Sequence, residues 1–394
     1  MSEINDINNS VRILSDSSEW TFFAEGAANI IYKYIGSEPC YKGKLLRLRK
    51  DIPGNPTTLE VWEFLQKDVL PIIGDYYVGM DLVKINSDFV NGMLNKTATE
   101  GQRLDAPVSN KETHAFVMEN VLNGDSDGLE YSKGKIKGGI EYFLGYDGNK
   151  QLKEVVFEFK PKWLLPSPTT TSEKHKHEFK VTGEVIRCRT CSLSYQRDKP
   201  VVLCPLDLVS DDYAVLENAI KSSFGKINKA DFGSGKNGTS DIAEFVLAPN
   251  ELTTVLAKAL YKNPLLTQLQ KLQSLDTRGI LDYGPSSDIG DKNEEEEKEF
   301  DMGFLIATAA RDCTLFVAIS EEDGSNEAKP TETDTFTVTL GNRLYKAKFT
   351  VTDVDIKHPS KAKRAYWTNI ERTLVDGGWY ESEKYPLCNY YKSK

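Results

Sequence analysis

Cysteine is scarce in this chain, with 6 in 394 residues, and the six are too scattered to form a disulfide framework. Long apolar runs are lacking as well. GFLIATAA at 303–310 is among the longest, well short of the roughly 20 residues a membrane span needs, and it runs into Arg311 and Asp312. The opening MSEINDINNS has neither a basic n-region nor an apolar h-region, so an intracellular protein is expected. There is no basic excess either. With 59 acidic residues against 49 Lys plus Arg, the formal charge is -10 and the pI is near 5.2, which excludes a generally basic nucleic-acid coat. Basic and aromatic residues form no continuous RNA-binding module, and no internal repeat is evident.

What the chain does have is core material: 39% hydrophobic residues, including 5 Trp, 18 Tyr and 17 Phe, enough for one large core or two modest ones. WTFFAEGAANIIYKYIG at 20–36 reads as two strands around the bend Glu25-Gly26-Ala27-Ala28-Asn29. GKLLRLRK at 43–50 alternates strictly, with Leu46 and Leu48 on one face and Arg47 and Arg49 on the other. Two guanidinium groups on one face, with no carboxylate between them, suggest an anionic partner. An edge strand with solvated arginines gives the same pattern.

LEVWEFLQKDVLPIIG at 59–74 predicts a helix up to Pro71, and YYVGMDLVKINSDFVNGMLNKTA at 76–98 predicts a short strand and another helix. HAFVMENVL at 114–122 reads as a strand ending at Glu119 and Asn120. The polar NGDSDG that follows places a boundary near 125, dividing the chain into 1–125 and 126–394. KEVVFEFKPKWLLPSP at 153–168 predicts a strand stopped by Pro161, which delivers Lys160 and Lys162 to its end. TTTSEKHKHEFK at 169–180 reads as loop. VLENAIKSSFGKI and the stretch 241–275 have helical spacing. Residues 283–299, with Glu294 to Glu297, read as a charge-rich solvated insertion, and 323–334 as a surface loop. FLIATAARDCTLFVAIS leads from a helix or extended run into a strand, and 335–357 supply two more strands.

Taken one by one, the chemistry-bearing residues are ambiguous. A glycine-containing turn can cradle phosphate through its backbone N–H groups, and most such turns are simply turns. Asp312 and Asp353 lie among apolar neighbours and need partners, of which Mg²⁺ is one.

In combination they resemble a known family. EFKPK at 158–162 is similar to the Glu-x-Lys-Pro-Lys signature of the inositol-pentakisphosphate 2-kinases. The Gly-Ala-Ala-Asn turn at 26–29, GKLLRLRK, FVMEN at 116–120, CPLDL at 204–208, ARDCT at 310–314 and DVDIKHPSK at 353–361 follow in family order, as in a divergent fungal member. The resemblance implies an α+β, two-lobed, protein-kinase-like fold. The implied reaction uses ATP and Mg²⁺ to phosphorylate the 2-hydroxyl of inositol pentakisphosphate, giving inositol hexakisphosphate.

By that resemblance Gly26, Ala27, Ala28 and Asn29 would cover the nucleotide phosphates, and Arg49, with Arg47 beside it, would contact ATP. Glu119 and Asn120 would sit near the adenine. Lys160 would approach the transferring phosphate, Asp312 would act as base and Asp353 would ligate Mg²⁺, with the base and metal roles overlapping at Asp312. Arg103, Lys162, Arg197, Lys357 and Lys361 would form the basic basin for a substrate dense in negative charge. Leu193 stands where the family commonly has a histidine, and Tyr366 matches the family tyrosine only with a one-residue shift. The resemblance also implies nuclear or cytoplasmic residence. An inositol polyphosphate kinase of different positional preference and a non-catalytic inositol-phosphate-binding protein are the alternatives. Cys188-x-x-Cys191 has metal-like spacing, yet no second pair completes it and His175 and His177 cannot be assigned, so a structural zinc is not expected.

Overall fold

The computed structural model describes residues 12–100, 106–123, 128–136, 139–178, 181, 183–225, 249–283, 301–322, 333–357 and 360–392. The chain divides into two compact units. One comprises Met1–Asp68, Tyr77–Asp127 and Asp355–His358; the other comprises Val69–Tyr76, Gly128–Val354 and Pro359–Lys394.

The first unit is built on a six-stranded sheet of β1 (Ile13–Leu14), β2 (Trp20–Glu25), β3 (Asn29–Tyr34), β4 (Lys44–Arg49), β5 (Met80–Ile85) and β6 (His114–Glu119). The strand order is β1-β5-β6-β4-β3-β2, with β1 parallel to β5 and the other neighbours antiparallel. Helix α1 (Thr58–Phe64) begins at a reciprocal cap, with Glu60 N–H donating to Thr57 Oγ1 and Thr57 N–H to Glu60 Oε2. Helix α2 (Ser87–Glu100) lays Phe89, Val90 and Met93 against Leu46, Leu48, Tyr32 and Val117. Each such fully buried side chain is worth about 1.5–3 kcal/mol. The alternation in β4 thus divides an apolar face from a face carrying Arg47 and Arg49. The strand is interior rather than an edge, and both arginines are buried, at 3% and 2% exposure.

The helix expected up to Pro71 is interrupted. After Phe64 the backbone widens into a π-helical turn over Leu65–Val69, and the last turn, Leu70–Ile73, starts with Pro71 near its beginning. A proline there has no N–H to give and would clash with the preceding carbonyl in an unbroken α-helix.

The second unit carries an antiparallel sheet of β7 (Glu130–Ile136), β8 (Ile140–Tyr146), β9 (Leu152–Phe159), β10 (Thr314–Glu321), β11 (Thr335–Leu340) and β12 (Arg343–Thr352), in the order β11-β12-β10-β9-β8-β7. Its described longer helices are α3 (Arg189–Gln196), α4 (Tyr213–Phe224), α5 (Pro249–Leu260), α6 (Pro264–Gln273), α7 (Met302–Asp312) and α8 (Lys361–Asp376). Phe157 and Phe159 of β9 meet Phe224 of α4 edge-on, at 5.3 and 5.4 Å between centroids, fixing that helix on the sheet. The segment expected as loop at 169–180 contains two short helices, Pro168–Thr171 and Glu173–Glu178. Each is too short for an apolar period to register, and the first is started by Pro168 at its opening position. Arg103, residues 284–299 and residues 323–332 lie outside the described residues. Among the described residues no helix is long and apolar enough to cross a membrane.

Candidate active site

In the second unit the end of β9 hands the chain to Lys160-Pro161-Lys162. Lys162 has φ +57°, a left-handed conformation disfavoured for a side chain with a Cβ, and it is held there from the main chain. The buried Gln273, at the end of α6, donates through Nε2 to the Lys162 carbonyl at 2.7 Å and accepts from the Leu164 N–H at 2.9 Å. Trp163 is clamped between guanidinium groups, Arg311 at 3.9 Å and Arg189 at 4.8 Å from its ring centroid. Arg311 is anchored in turn by Asp276 at 2.6 Å, and Arg189 by Glu371 at 2.7 Å.

Both lysines converge on Asp312, the last residue of α7. Lys160 Nζ donates to the Asp312 carbonyl at 2.6 Å and to its Oδ1 at 3.2 Å, while Lys162 Nζ lies 3.4 Å from the same Oδ1. Asp312 is half-buried and Lys160 exposed, so the charges remain open to a ligand. Asp353 follows the end of β12 with φ +62°, its Oδ2 accepting from Thr314 Oγ1 at 3.3 Å. Non-glycine residues in this region cost of order 1 kcal/mol or more, and such strain concentrates at functional positions. Thr314 starts β10 two residues after Asp312 and pairs with Thr352 of β12, so one ladder sets the origin of both aspartates. Burial raises the Glu158 pKa, and the charges of Glu141 and Asp353 add to the effect. Burial also pushes the Cys313 thiol up to about 12, which leaves it a packing residue rather than a nucleophile.

In the first unit, the turn between β2 and β3 is closed by Gly26 N–H donating to the Asn29 carbonyl at 2.9 Å, with Gly26 and Ala27 exposed. The Ala28 carbonyl accepts from the Lys50 N–H at 3.0 Å. Arg49 braces the turn from beneath. Its Nη1 donates to Asn29 Oδ1 at 3.0 Å and to Asp355 Oδ2 at 3.1 Å, its Nη2 to Asn55 Oδ1 at 2.5 Å and its Nε to the Pro56 carbonyl at 3.0 Å. Arg47 Nη1 reaches Asp355 Oδ1 at 3.1 Å, with its guanidinium 4.7 Å from the Phe116 ring centroid. Burial works to raise the Asp355 pKa, but Arg47, Arg49 and Lys357 outweigh it and hold the carboxyl below its usual range. The anionic group facing this pair is therefore internal, and it comes from late in the chain.

Glu119 ends β6 with its carboxylate on Lys44 and its N–H donating to the Gly79 carbonyl at 2.8 Å. Asn120 Oδ1 accepts from the Leu122 N–H at 3.2 Å. Of the residues assigned to the basic basin, Lys162 stands at Asp312, while Lys357 belongs to the first unit and Lys361 opens α8 in the second. Arg197 caps the C-terminal end of α3 and donates through Nη2 to Tyr366 Oη at 3.3 Å. The structure thus places Tyr366, which needs a one-residue shift in the sequence comparison, beside Arg197.

A family model described as inositol-pentakisphosphate 2-kinase matches residues 22–373, a span containing both constellations. The chain belongs to that family. It is 26% identical over 363 residues to a protein named inositol-pentakisphosphate 2-kinase from Yarrowia lipolytica, covering 92% of this chain and 93% of the relative. A protein of the same name from Debaryomyces hansenii is 28% identical over 231 residues, covering 50% and 54%. Membership in the inositol-pentakisphosphate 2-kinase family makes the chain a phosphotransferase of inositol phosphate chemistry, and its two-sheet α+β architecture is that of the protein-kinase-like inositol polyphosphate kinase fold. As in this family, ATP and an inositol phosphate are the substrates. The hard carboxylate oxygens of Asp312 and Asp353 suit the Mg²⁺ that ATP chemistry uses.

Zinc requires a correction. The expectation of no structural zinc rested on finding no partner for Cys188-x-x-Cys191, yet Cys204 and Cys388 supply it. The four Sγ atoms lie within 4.8 Å of one another, and all four residues are buried. Cys388 is remote in sequence from the other three, so local spacing could not reveal the set. Asp355 was missed for the same reason, although the Asp353-x-Asp355 pattern was a signal.

Proposed function

We propose that the protein transfers the γ-phosphoryl group of ATP to the 2-hydroxyl of inositol pentakisphosphate, giving inositol hexakisphosphate. The observation that carries this reading is the convergence of Lys160 and Lys162 on Asp312. Phosphoryl transfer asks a protein mainly for alignment and charge neutralisation. A carboxylate held between two ammonium groups gives a proton acceptor beside two phosphate ligands.

In this reading Asp312 accepts the hydroxyl proton as the hydroxyl oxygen bonds to the γ-phosphorus and the bond to the β-phosphate oxygen breaks, releasing ADP. Lys160 neutralises the equatorial oxygens of the transferring group, and Lys162 holds a phosphate of the inositol ring. Asp353 and Asp312 would hold Mg²⁺, which would supply compact positive charge to the nucleotide phosphates. Gly26 to Asn29 cover those phosphates. Arg49 acts through Asn29 rather than by direct contact, because its bonds to Asn29, Asn55, Pro56 and Asp355 already occupy it. Arg197 with Tyr366, Lys357 and Lys361 complete the recognition of the inositol phosphates, in a nuclear setting like that implied by the fungal resemblance.

The test is position-resolved product analysis with ATP, Mg²⁺ and inositol pentakisphosphate whose 2-hydroxyl is free. Transfer to that hydroxyl, lost in Asp312→Asn, supports the proposal. Transfer to another position would retain a kinase and overturn the positional assignment. Binding without transfer by folded wild-type protein would favour a non-catalytic binding role.

A further inference from the structure

Gln273 touches the main chain of both segments that carry the reacting residues, through one buried carboxamide. It ends α6 and is 1% exposed. Towards the exit of β9 it behaves as a detached peptide group: Nε2 donates to the Lys162 carbonyl at 2.7 Å and Oε1 accepts from the Leu164 N–H at 2.9 Å. Gln270, three residues earlier and so on the same helix face, donates through Nε2 to the Leu164 carbonyl at 3.0 Å. Towards α7, Gln273 Nε2 stands 3.5 Å from the Ala310 carbonyl, two residues before Asp312, and Arg311 Nη2 lies 3.4 Å from the Gln273 main-chain carbonyl. Lys160 is placed differently. It precedes Pro161 and follows directly on the β9–β10 ladder, which runs to Phe159 opposite Leu315.

We propose that Gln273 is a positioning residue for the inositol substrate: its carboxamide holds Lys162 in the left-handed conformation that aims the ammonium group at Asp312. This role rests on the reading that Lys162 binds a phosphate of that substrate. At φ +57° a residue with a Cβ stays only where its surroundings over-determine it, and Gln273 holds the Lys162 carbonyl directly. Release would let the backbone relax, which turns the Cα–Cβ bond and carries the lysine stem off the 3.4 Å approach of Nζ to Asp312 Oδ1. The chemistry of the side chain is specific. A carbonyl needs a donor and an N–H needs an acceptor, and an amide of this reach offers both. Methionine has the length and neither group, while asparagine has both groups one methylene too short. Lys160, on the ladder, keeps its place when this amide is lost.

Gln273→Met should raise KM for inositol pentakisphosphate about tenfold and leave KM for ATP within about twofold, measured where circular dichroism shows the variant folded. In a Lys162→Ala background the same substitution should add less than about twofold, because the ammonium group it places is gone. A rise in both KM values, or an effect that adds in full to Lys162→Ala, would mark Gln273 as a structural residue and overturn the role. If Gln273→Met does not fold, Gln273→Asn takes its place with the same two outcomes. Should Lys162→Ala itself leave KM for the inositol phosphate unchanged, the phosphate role of Lys162 fails, and a crystal structure of the Gln273 variant decides the positioning alone. Lys162 out of the left-handed region upholds it, and Lys162 still near φ +57° with Nζ on Asp312 overturns it.

Discussion

Lys160 holds Asp312 twice, through the side-chain Oδ1 at 3.2 Å and the main-chain carbonyl at 2.6 Å. The first bond is the kind a phosphate can compete for, while the second keeps the ammonium group at the end of α7. Replacement of either residue should therefore separate chemistry from folding.

For Asp312→Asn we expect kcat to fall by about 10²–10⁴, the usual worth of a positioned proton acceptor. Because the carboxylate is half-buried rather than enclosed, the midpoint of urea unfolding should move little. A normal kcat in the variant would remove Asp312 from the reaction.

Lys162→Ala should act mainly on the inositol substrate. A charged hydrogen bond to phosphate contributes about 1.5–3 kcal/mol, so KM for the inositol phosphate should rise roughly ten- to a hundredfold with KM for ATP nearly unchanged. Steady-state kinetics with each substrate varied in turn would check this, and an equal rise in both constants would count against the assignment.

At Gly26 an added Cβ would meet only the Asn29 carbonyl oxygen, at 4.0 Å. The fold gives no reason for glycine there, so Gly26→Ala should keep its stability to within about 0.5 kcal/mol. If the turn lies over the nucleotide phosphates, KM for ATP should still rise, by about tenfold. Unaltered ATP kinetics would detach this turn from the nucleotide.

Glu371 is 1% exposed and accepts from Arg189, Tyr380 and Ser167. Burial pushes its pKa up, but Arg189 and these hydrogen bonds outweigh it, and the folded value lies below the ordinary 4.5. The unfolded chain therefore takes up this proton first as pH falls. The stability that Glu371 contributes is complete above its unfolded pKa and is lost as pH drops through the folded value. Glu371→Gln should cost about 3–5 kcal/mol at pH 7 by leaving Arg189 buried without a counter-charge. It should also flatten the acid limb of stability in urea titrations from neutral pH to below pH 4.5, and an unchanged limb would show that other groups govern it.

Periodicity and Pro161, both local properties, put Lys160 and Lys162 at a strand end, whereas Asp312 was joined to them only through the resemblance of EFKPK and ARDCT to the family's motifs. The strict alternation of 44–49 likewise placed Leu46 and Leu48 in a core. It did not determine what Arg47 and Arg49 face, since a solvated edge and a buried pair obey the same alternation. Asp355 decides between them, and a contact across 306 residues leaves no trace in a local pattern. Cys388 was hidden for the same reason. Pro71 marked a disturbance correctly, but whether a helix stops or widens there depends on its surroundings.

The pairing of Arg47 and Arg49 with Asp355 also bears on the order in which the protein is made. Every strand of the first unit has been synthesised once Glu119 is added, yet the carboxylate that pairs with its two interior arginines comes far later, after the whole sheet of the second unit. The first unit therefore lacks the carboxylate shared by Arg47 and Arg49 until translation has passed Asp355. A fragment ending near residue 127 would resemble that nascent chain rather than a finished domain.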